Sequence, residues 1–481
     1  MPETLLSGFS RSAVEELSRR KGEPDWMLEK RLLAWEAYER TSPPLGRRGD
    51  LGTLRLLSNF KFQESGLADP AYSHSLPPAL STQDPASERS GLVVQHNGGV
   101  VRVDLAEELR QQGVILCSLE SAVRDHPDLV RRHFMTNCVP VESDIYTALH
   151  AAFWSGGIFL SVPAGVEIAA PILTRIWIDE AGAAFFAPTL IVAGEQSSVR
   201  FVQELGSACE GERPTLVHSI VEAHVGSAAH VEFSNLQDFD QQVWHLTHKN
   251  ALHEKDGSAT WVLADLGSRV MFSNIGVDLL GDGTAGELVG VFFADRDQRY
   301  VIKTLSHHNA LNTNAETLVH GVLADSARVE FDGMIRIEAG AQYTASFLSD
   351  HTLLLSNECR AESIPGLEIG ANEVSASHGA TTGKIDEEQL FYLMVRGIPR
   401  EEAERIVVQG FFEPVLQRVP LENLRVRLRR SIIQRMRGSY ESEADTWVDA
   451  QERWEIEDVD AYAVSLDSST ASNEEISLTE Y

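Results

Sequence analysis

The stretch that decides the fold is "SSVRF", Ser197 to Phe201, because versions of it recur along the middle of the chain. Each version is a turn of small residues followed by a short strand with alternating apolar residues. Their valines are spaced 33, 32, 31 and then 67 residues apart: "AGVEI" at Val166, "SSVRF" at Val199, "SAAHVEF" at Val231, "SATWVLA" at Val262 and "SARVEF" at Val329. A repeat of this period is typical of a β-solenoid, in which stacked rungs bury one continuous apolar column.

We therefore predict a mainly β protein with a parallel β-solenoid core over residues 157–375. Apolar residues alternate through this region, Gly and Asp mark the turns, and no long helical period survives. A large β-sandwich, whose strands recur less regularly, is the structural alternative.

Helical regions are predicted on both sides of this core. Residues 1–156 are predicted to be mostly helical, with an irregular connection over residues 62–91. Pro127 lies in the first turn of one predicted helix, and Asp144 is the predicted N-cap of a later one. Residues 376–437 are read as helical too. Asp386 caps a helix that ends at Gly397, and a second helix, opened by Pro399, is predicted to end at Gly410.

The last predicted helix, "LENLRVRLRRSIIQRM", is basic and amphipathic. Its apolar face carries Leu421, Leu424, Leu428 and Ile432, and its other faces carry arginines. In an acidic protein this helix has two interpretations. It covers negative charge on the body of the protein, or it docks onto an acidic partner protein.

The composition narrows the class of protein. The chain has 481 residues and a formal net charge of −30, and its four cysteines form no CxxC pair. Residues 438–481 form an acidic tail that we expect to be disordered; from Glu441 to Tyr481 it carries thirteen Asp and Glu against Arg453 alone. Nucleic-acid binding is disfavoured by this charge, and no leader or membrane-length apolar run is evident. We expect a reduced, cytoplasmic protein.

A near-miss to a phosphate-binding loop lies near the end of the core. Gly379, Gly383 and Lys384 resemble the pattern G-x-x-x-x-G-K-[ST], but the spacer is one residue short and Ile385 stands where a hydroxyl must hold magnesium. We therefore predict no direct ATP binding.

Other polar groups suggest little chemistry by themselves. His245, His248 and His253, and the adjacent His307 and His308, diverge on strands and are interpreted as structural or surface groups. Four aspartates suit the paired carboxylates of a carbohydrate-active solenoid enzyme, although their sequences resemble turns. These are Asp278, Asp282, Asp295 and Asp297. His378, beside Gly379 at the end of the strand region, can ligate a metal or bond to nearby backbone.

Several blocks of the chain resemble one known family. "SHGATTGKIDEEQLFYLMVRGIPREEAERIVVQGFFEPVL" resembles the C-terminal signature of the SufB/SufD family of iron–sulfur cluster assembly proteins. "SLESAVRDHPDLVRRHF" and "WSGGIFLSVPAGVEI" resemble the blocks ahead of its β-helix, and "EPDWMLEKRL" resembles the N-terminal helix of SufB in particular. The resemblance spans about residues 8–436.

The resemblance implies a fold and a function. The fold is a right-handed parallel β-helix with helical ends. The function is that of a non-catalytic scaffold that binds the SufC ATPase and pairs with a SufB-type subunit to build or hold a transient Fe–S cluster. The residues that the resemblance places at the SufC-docking surface are Leu390, Phe391, Arg396, Phe411, Phe412, Arg425 and Arg429. Flavin binding, reported for complexes of this family, is left open.

The family pattern points to a SufD-like member. SufB carries a cluster-building cysteine whose place falls at about Asp350, counted from Pro365, and a glutamate where this chain has Gly379. His-Gly-Ala-Thr is the SufD pattern, so His378 is the implied metal ligand at a subunit interface, although Ala376 replaces a cysteine common in SufD. A SufB-type scaffold acting as a homodimer remains the alternative.

Two cysteines lie near places that matter in the family. Cys209 is close to the sulfur-accepting cysteine of SufB but about three residues out of register, and it is interpreted as an incidental loop thiol. Cys359, upstream of His378, is a weak second candidate ligand.

Overall fold

The structure is a computed structural model that describes residues 8–41, 66–67, 89–211, 213–419 and 421–436. The predicted acidic tail and most of the predicted 62–91 connection lie outside these residues. The described helices are α1 (Arg11–Lys21), α2 (Asp25–Arg40), α3 (Glu107–Gln111), α4 (Leu119–Asp125), α5 (Pro127–His133), α6 (Ile145–Phe153), α7 (Glu387–Met394), α8 (Arg400–Leu416) and α9 (Glu422–Met436).

The strands form the body of the molecule. In chain order they are β1 (Gly66–Leu67), β2 (Gly91–His96), β3 (Gly99–Leu105), β4 (Ile115–Ser118), β5 (Ile158–Val162), β6 (Ile172–Ile178), β7 (Ala183–Ala193), β8 (Ser198–Ser207), β9 (Thr215–Val225), β10 (His230–Asp238), β11 (Val243–His253), β12 (Ser258–Asp265), β13 (Val270–Leu279), β14 (Ala285–Ala294), β15 (Arg299–His308), β16 (Asn314–Leu323), β17 (Arg328–Ile337), β18 (Thr344–Leu354), β19 (Arg360–Ser363), β20 (Gly366–Ile369) and β21 (Val374–Lys384).

These strands build a parallel β-solenoid with two sheets, which confirms the predicted fold class. Sheet A runs β4-β5-β7-β9-β11-β13-β15-β17-β19, with β1 beside β7 and β20 beside β17. Sheet B runs β3-β2-β6-β8-β10-β12-β14-β16-β18-β21. From β5 to β19, successive strands of the chain alternate between the sheets, so one rung takes about 30 residues.

The repeated valines follow this geometry only in part. Val199 and Val231 are register partners on β8 and β10, as expected. Val262, however, pairs with Ser234, and Val329 lies on β17 of sheet A. The reason is that each rung contributes two strands with the same apolar alternation, so similar motifs occur on both sheets.

Aromatic stacking fills the interior between the sheets. Phe201, Phe233 and Trp261 are register partners on three successive rungs. The rings of Phe201 and Phe233 stack with centroids 5.6 Å apart, and Phe233 meets Trp261 edge-on at 5.0 Å. All three side chains are almost fully buried, so this column contributes to the continuous core that a repeat architecture requires.

The N-terminal helices cover the outer face of sheet A. Apolar residues of α1, α2 and α6 pack in one cluster with residues of β7, β9, β11 and β13. Asp144 is the N-cap of α6 and forms a capping box with Thr147, and Pro127 opens α5, as predicted. The N-terminal region is less helical than predicted, because β2 already pairs with β6 and the solenoid therefore begins before residue 157.

The C-terminal helices cover the outer face of sheet B. Val408, Phe412 and Val415 of α8 are buried in a cluster with residues of β10, β12, β14 and β16. The prediction that this helix ends at Gly410 was wrong, because burial of Phe412 and Val415 outweighs the cost of about 1 kcal/mol for a glycine inside a helix. The predicted boundary at 376 was also too early, since β21 runs to Lys384.

Buried ionic groups bind these coverings to the solenoid. Glu204 of β8 is fully buried, 3.0 Å from Arg175, and it also pairs with Arg427 of α9. Burial alone would raise the pKa of Glu204, but the two guanidinium groups lower it to about 2. On the other side, His248 Nε2 lies 2.8 Å from Asp144 Oδ2, which ties β11 to the start of α6.

A chain of histidines continues from this pair inside the molecule. His248 Nδ1 lies 3.0 Å from His218 Nε2, and the rings of His218 and His150 meet edge-on at 4.8 Å. His245 points away from this chain and bonds to Ser219 at 2.8 Å. His245 and His248 are therefore buried structural groups, in agreement with the interpretation from the sequence.

The buried histidines make stability depend on pH. Burial lowers the pKa of His150, His218 and His245 well below 6.5. At a pH below about 6.5, the unfolded chain therefore binds protons that the folded protein does not, so the free energy of unfolding falls as the pH falls. We expect a loss of roughly 1.4 kcal/mol per pH unit for each such histidine between about pH 6 and pH 5, measured by urea unfolding. An unfolding midpoint that rose over this range would contradict the prediction.

Candidate functional site

The two ends of the solenoid differ. At the N-terminal end, β3 and β4 close the sheets by antiparallel pairing with β2 and β5. At the C-terminal end, β21 is the last strand of sheet B, and no strand of the described residues pairs with its outer edge. Its eleven residues therefore present a row of main-chain groups that another chain can bond.

The exposed side chains at this end are apolar as well as polar. Phe347 of β18 is 43% exposed, and it is accompanied by three other exposed apolar side chains. These are Tyr343, Leu367 and Ile369. We call this surface, with the edge of β21, the open end. Exposed apolar groups beside an unpaired strand are typical of a protein–protein contact.

His378 lies on the open end. It is an exposed residue in the middle of β21 and is the register partner of Leu348. β21 is the last strand of the solenoid and precedes the helix that Asp386 caps. A side chain built on Gly379 would meet nothing within 4 Å, so this glycine is not required by any close approach within the described chain. The imidazole is accessible to a ligand or partner from outside.

Asp350 lies close to His378 by register. It pairs with Ala380, two residues from His378 on β21, so both side chains belong to the same face of sheet B. Asp350 is buried, and burial raises the pKa of its carboxyl to about 6. From the sequence, this position was noted only as the place of an absent cysteine. Asp350 precedes His378 by about one rung of the repeat. This spacing could have indicated from the sequence that the two residues lie on neighbouring strands.

Cys359 does not join His378 in a ligand cluster. It is buried in the solenoid core, where Sγ lies 3.1 Å from the carbonyl oxygen of Ser356. Cys209 is buried too, and burial raises the pKa of its thiol, which disfavours the reactive thiolate form. A ligand set at the open end would therefore draw its sulfur from outside the described part of this chain.

Only some of the predicted docking residues are available to a partner. Leu390 and Phe412 are fully buried, which corrects their assignment, because both lie on the apolar stripes by which their helices pack. The ring of Phe411 stacks on His320 with centroids 4.8 Å apart. Phe391 is 66% exposed, and the guanidinium of Arg396 lies 4.2 Å from the ring centroid of Tyr392.

Phe391 belongs to a set of exposed apolar side chains on α7, its C-cap and α8. Its other members are Tyr392, Met394, Val395 and Ile406. We call this surface the helical patch. Five exposed large apolar side chains on two adjacent helices fit a docking surface better than isolated surface residues.

The arginines of α9 mostly face acidic groups of the same chain. Arg427 pairs with Glu204 and Arg435 with Asp238, both of the solenoid. Arg429 lies 2.6 Å from Glu413 of α8, and Arg425 pairs with Glu422 of its own helix. The interpretation that this helix covers negative charge on the body thus has direct support.

The glycine-rich stretch is a strand rather than a loop. Gly379, Gly383 and Lys384 lie on β21, and Lys384 Nζ donates to Asn357 at 2.7 Å. A phosphate-binding loop needs successive backbone N–H groups turned inward ahead of a helix, and an extended strand does not supply that geometry.

The aspartates considered for a carbohydrate-active enzyme do not converge. Asp278 lies on β13 of sheet A, where it accepts from Asn250 at 2.7 Å and pairs with His307 at 2.8 Å. Asp295 follows β14 of sheet B, 3.9 Å from Arg435. The two carboxylates thus belong to different sheets, which disfavours the paired arrangement that glycoside hydrolysis uses. No helix of the described residues has the length and apolar character of a membrane span.

Comparison with known proteins agrees with these features. The family model described as "SUF system FeS cluster assembly, SufBD core domain" matches residues 176–411, and that of the "SufBD protein N-terminal region" matches residues 88–173. Iron–sulfur cluster assembly SufBD family proteins of Staphylococcus saprophyticus and Staphylococcus epidermidis are each 31% identical over 442 residues, which is 90% of this chain and 94% of theirs. A SufBD family protein of Staphylococcus aureus USA300 is 30% identical over 442 residues, again 90% of this chain and 94% of the relative. The chain is therefore a member of the SufBD family of the SUF system for iron–sulfur cluster assembly.

Proposed function

We propose that this chain is a SufD-like, non-enzymatic scaffold subunit of a cytoplasmic SUF complex. In this proposal it pairs with a SufB-type subunit through the open end, binds a SufC-type ATPase through the helical patch, and contributes His378 to a nascent Fe–S cluster. The observation that carries the proposal is the placement of His378 on an exposed, unpaired terminal strand.

The chemistry of the open end supports a shared cluster site. An imidazole ligates iron, and His378 is accessible at the edge where a second chain can pair with β21. One histidine does not hold a cluster, and the described cysteines near it are buried. The partner must therefore supply the thiolates, and the Asp350 carboxyl would face the shared site from this chain. The SufD-like assignment rests on His-Gly-Ala-Thr and on Asp350 at the place of the cluster-building cysteine.

The helical patch supports a separate contact with the ATPase. It lies on α7 and α8, whereas the open end is formed by β18, β20 and β21. The glycine-rich stretch is extended, so the nucleotide in this proposal is bound and hydrolysed by the partner. Flavin binding belongs to the assembled complex in this proposal and is assigned to no residue of the chain.

Pairing through the open end is tested by one charge substitution. We expect Phe347→Asp to weaken association with a SufB-type subunit at least 10-fold, because it buries a carboxylate in an apolar contact. Leu280→Asp is the matched control, since Leu280 is 44% exposed and Phe347 43%, and it should leave association unchanged. Sedimentation of each chain alone measures its self-association, and sedimentation of each chain mixed with the SufB-type subunit measures the affinity between the two. Equal affinities for the two variants would contradict pairing through this surface, and a dimer of the chain alone that persists beside SufB would favour the homodimer.

Docking of the ATPase is tested on the helical patch. We expect Phe391→Asp to reduce retention of a SufC-type ATPase by the full chain at least 10-fold, because Phe391, 66% exposed, is the most exposed member of the patch. Leu33→Asp, at a position 58% exposed on α2, is the control and should retain the ATPase. Retention by Phe391→Asp equal to that of the control would rule out this surface.

The role of His378 is tested in the complex. We expect His378→Ala to lower the yield of anaerobically reconstituted cluster per assembled complex, read by visible absorbance, several-fold, because the exposed imidazole would be one of the cluster ligands. His307→Ala, on sheet A, serves as the control histidine variant. An unchanged cluster yield with His378→Ala would remove this residue from the mechanism.

A further inference from the structure

A second group of metal-binding side chains lies on the opposite sheet from His378. The ligand atoms of Cys138, Glu222 and His224 all lie within 4.8 Å of one another. Glu222 and His224 are two residues apart on β9 and therefore share the outer face of sheet A. Cys138 reaches them from the turn that follows α5. This sulfur, carboxylate and imidazole set has no role in the function proposed above.

The carboxylate of Glu222 is fully buried and lacks a strong cationic partner. It accepts the backbone N–H of Met135 at 2.7 Å and that of Val139 at 3.1 Å. No lysine or arginine of the described residues comes within ion-pair distance, and the nearby Lys30 donates instead to the carbonyl oxygen of Phe134. A carboxylate has about four lone-pair sites, so two remain available to a metal ion.

The ring of His224 is held in an orientation that suits a metal ligand. Its Nε2 lies 3.1 Å from the carbonyl oxygen of His133, to which it can only donate. This hydrogen bond leaves the lone pair on Nδ1, and ligating histidines commonly use their other ring nitrogen in this way.

The thiol of Cys138 is fixed by its backbone. Asn250 Nδ2 donates to the carbonyl oxygen of Cys138 at 2.6 Å and to Asp278 Oδ2 at 2.7 Å. The thiol itself is buried, with Sγ 3.2 Å from the carbonyl oxygen of Asn250.

Charge and access together indicate which ligand fits. A thiolate and a carboxylate carry two negative charges, which one divalent cation neutralises. Of the three ligand residues, His224 also lines an open cleft of about 610 Å³, so solvent reaches the site at its imidazole. Mixed sulfur, nitrogen and oxygen ligands suit Zn²⁺, Fe²⁺ or Co²⁺ and disfavour Mg²⁺ and Ca²⁺.

We propose that Cys138, Glu222 and His224 form a mononuclear binding site for a divalent first-row transition metal ion. The site belongs to the outer face of sheet A and to the N-terminal covering, so it is independent of the open end and of the cluster proposed there. Binding releases to solvent the thiol proton of Cys138 and any proton held by the Glu222 carboxyl, and no redox step is involved.

The test is a titration of the full, chelator-treated chain with Co²⁺ alone under anaerobic conditions. We expect one equivalent to give a thiolate-to-cobalt charge-transfer band in the near ultraviolet. Cys138→Ser should abolish the band, whereas the matched variants Cys209→Ser and Cys359→Ser should keep it. Glu222→Gln and His224→Gln should each weaken Co²⁺ binding at least 10-fold, and Zn²⁺ should raise the Tm of the native chain but not that of Cys138→Ser.

The outcomes separate the site from the cluster scaffold. A native chain without a thiolate band, or a band that survives in Cys138→Ser, would overturn the metal site and leave His378 untouched. Circular dichroism without metal shows whether each variant folds. If Cys138→Ser does not fold, His224→Gln decides, because His224 is only partly buried, and its unchanged Co²⁺ affinity would overturn the proposal.

Discussion

The in-register parallel pairing of each rung with the next is the constraint on which the rest of this structure depends. Interior strands bond to a neighbour on each edge, and aromatic residues stack in the same register. A linear stack must nevertheless end. Antiparallel β3 and β4 close one end, whereas β21 leaves the other edge unpaired in the described chain. The location of the proposed interface follows from this asymmetry.

The two coverings of the solenoid use the same physical arrangement. Each packs an apolar helical stripe on the outer face of one sheet, and each is joined to that sheet by a buried carboxylate. Asp144 bonds to His248 on one side, and Glu204 bonds to Arg175 and Arg427 on the other. The apolar burial supplies the stabilisation, while such buried polar contacts gain little net energy and constrain how each helix sits. The basic α9 is thereby explained as part of the protein's own packing.

This arrangement separates the surfaces that the proposals use. The outer face of sheet A, with the N-terminal turn, holds the cluster of Cys138, Glu222 and His224. The C-terminal end of sheet B carries His378, and the helices over sheet B carry the exposed Phe391. A metal ion, a second scaffold subunit and an ATPase would therefore contact different parts of the chain. The effect of a substitution at one surface can then be measured while the other surfaces stay unchanged.

By itself, the sequence determined the class of fold and the ends of several elements. A recurring turn-and-strand motif predicts a solenoid, and Asp144 and Pro127 mark helix starts, because these signals are local. Family blocks singled out His378 as a candidate ligand, and the structure shows it exposed on β21. Only the tertiary structure decided that Val329 belongs to sheet A, that Leu390 and Phe412 are buried, and that Cys138 meets Glu222 and His224. The physical reason is that both sheets use the same alternating pattern, and which residues meet across rungs depends on register and packing between segments far apart in the chain.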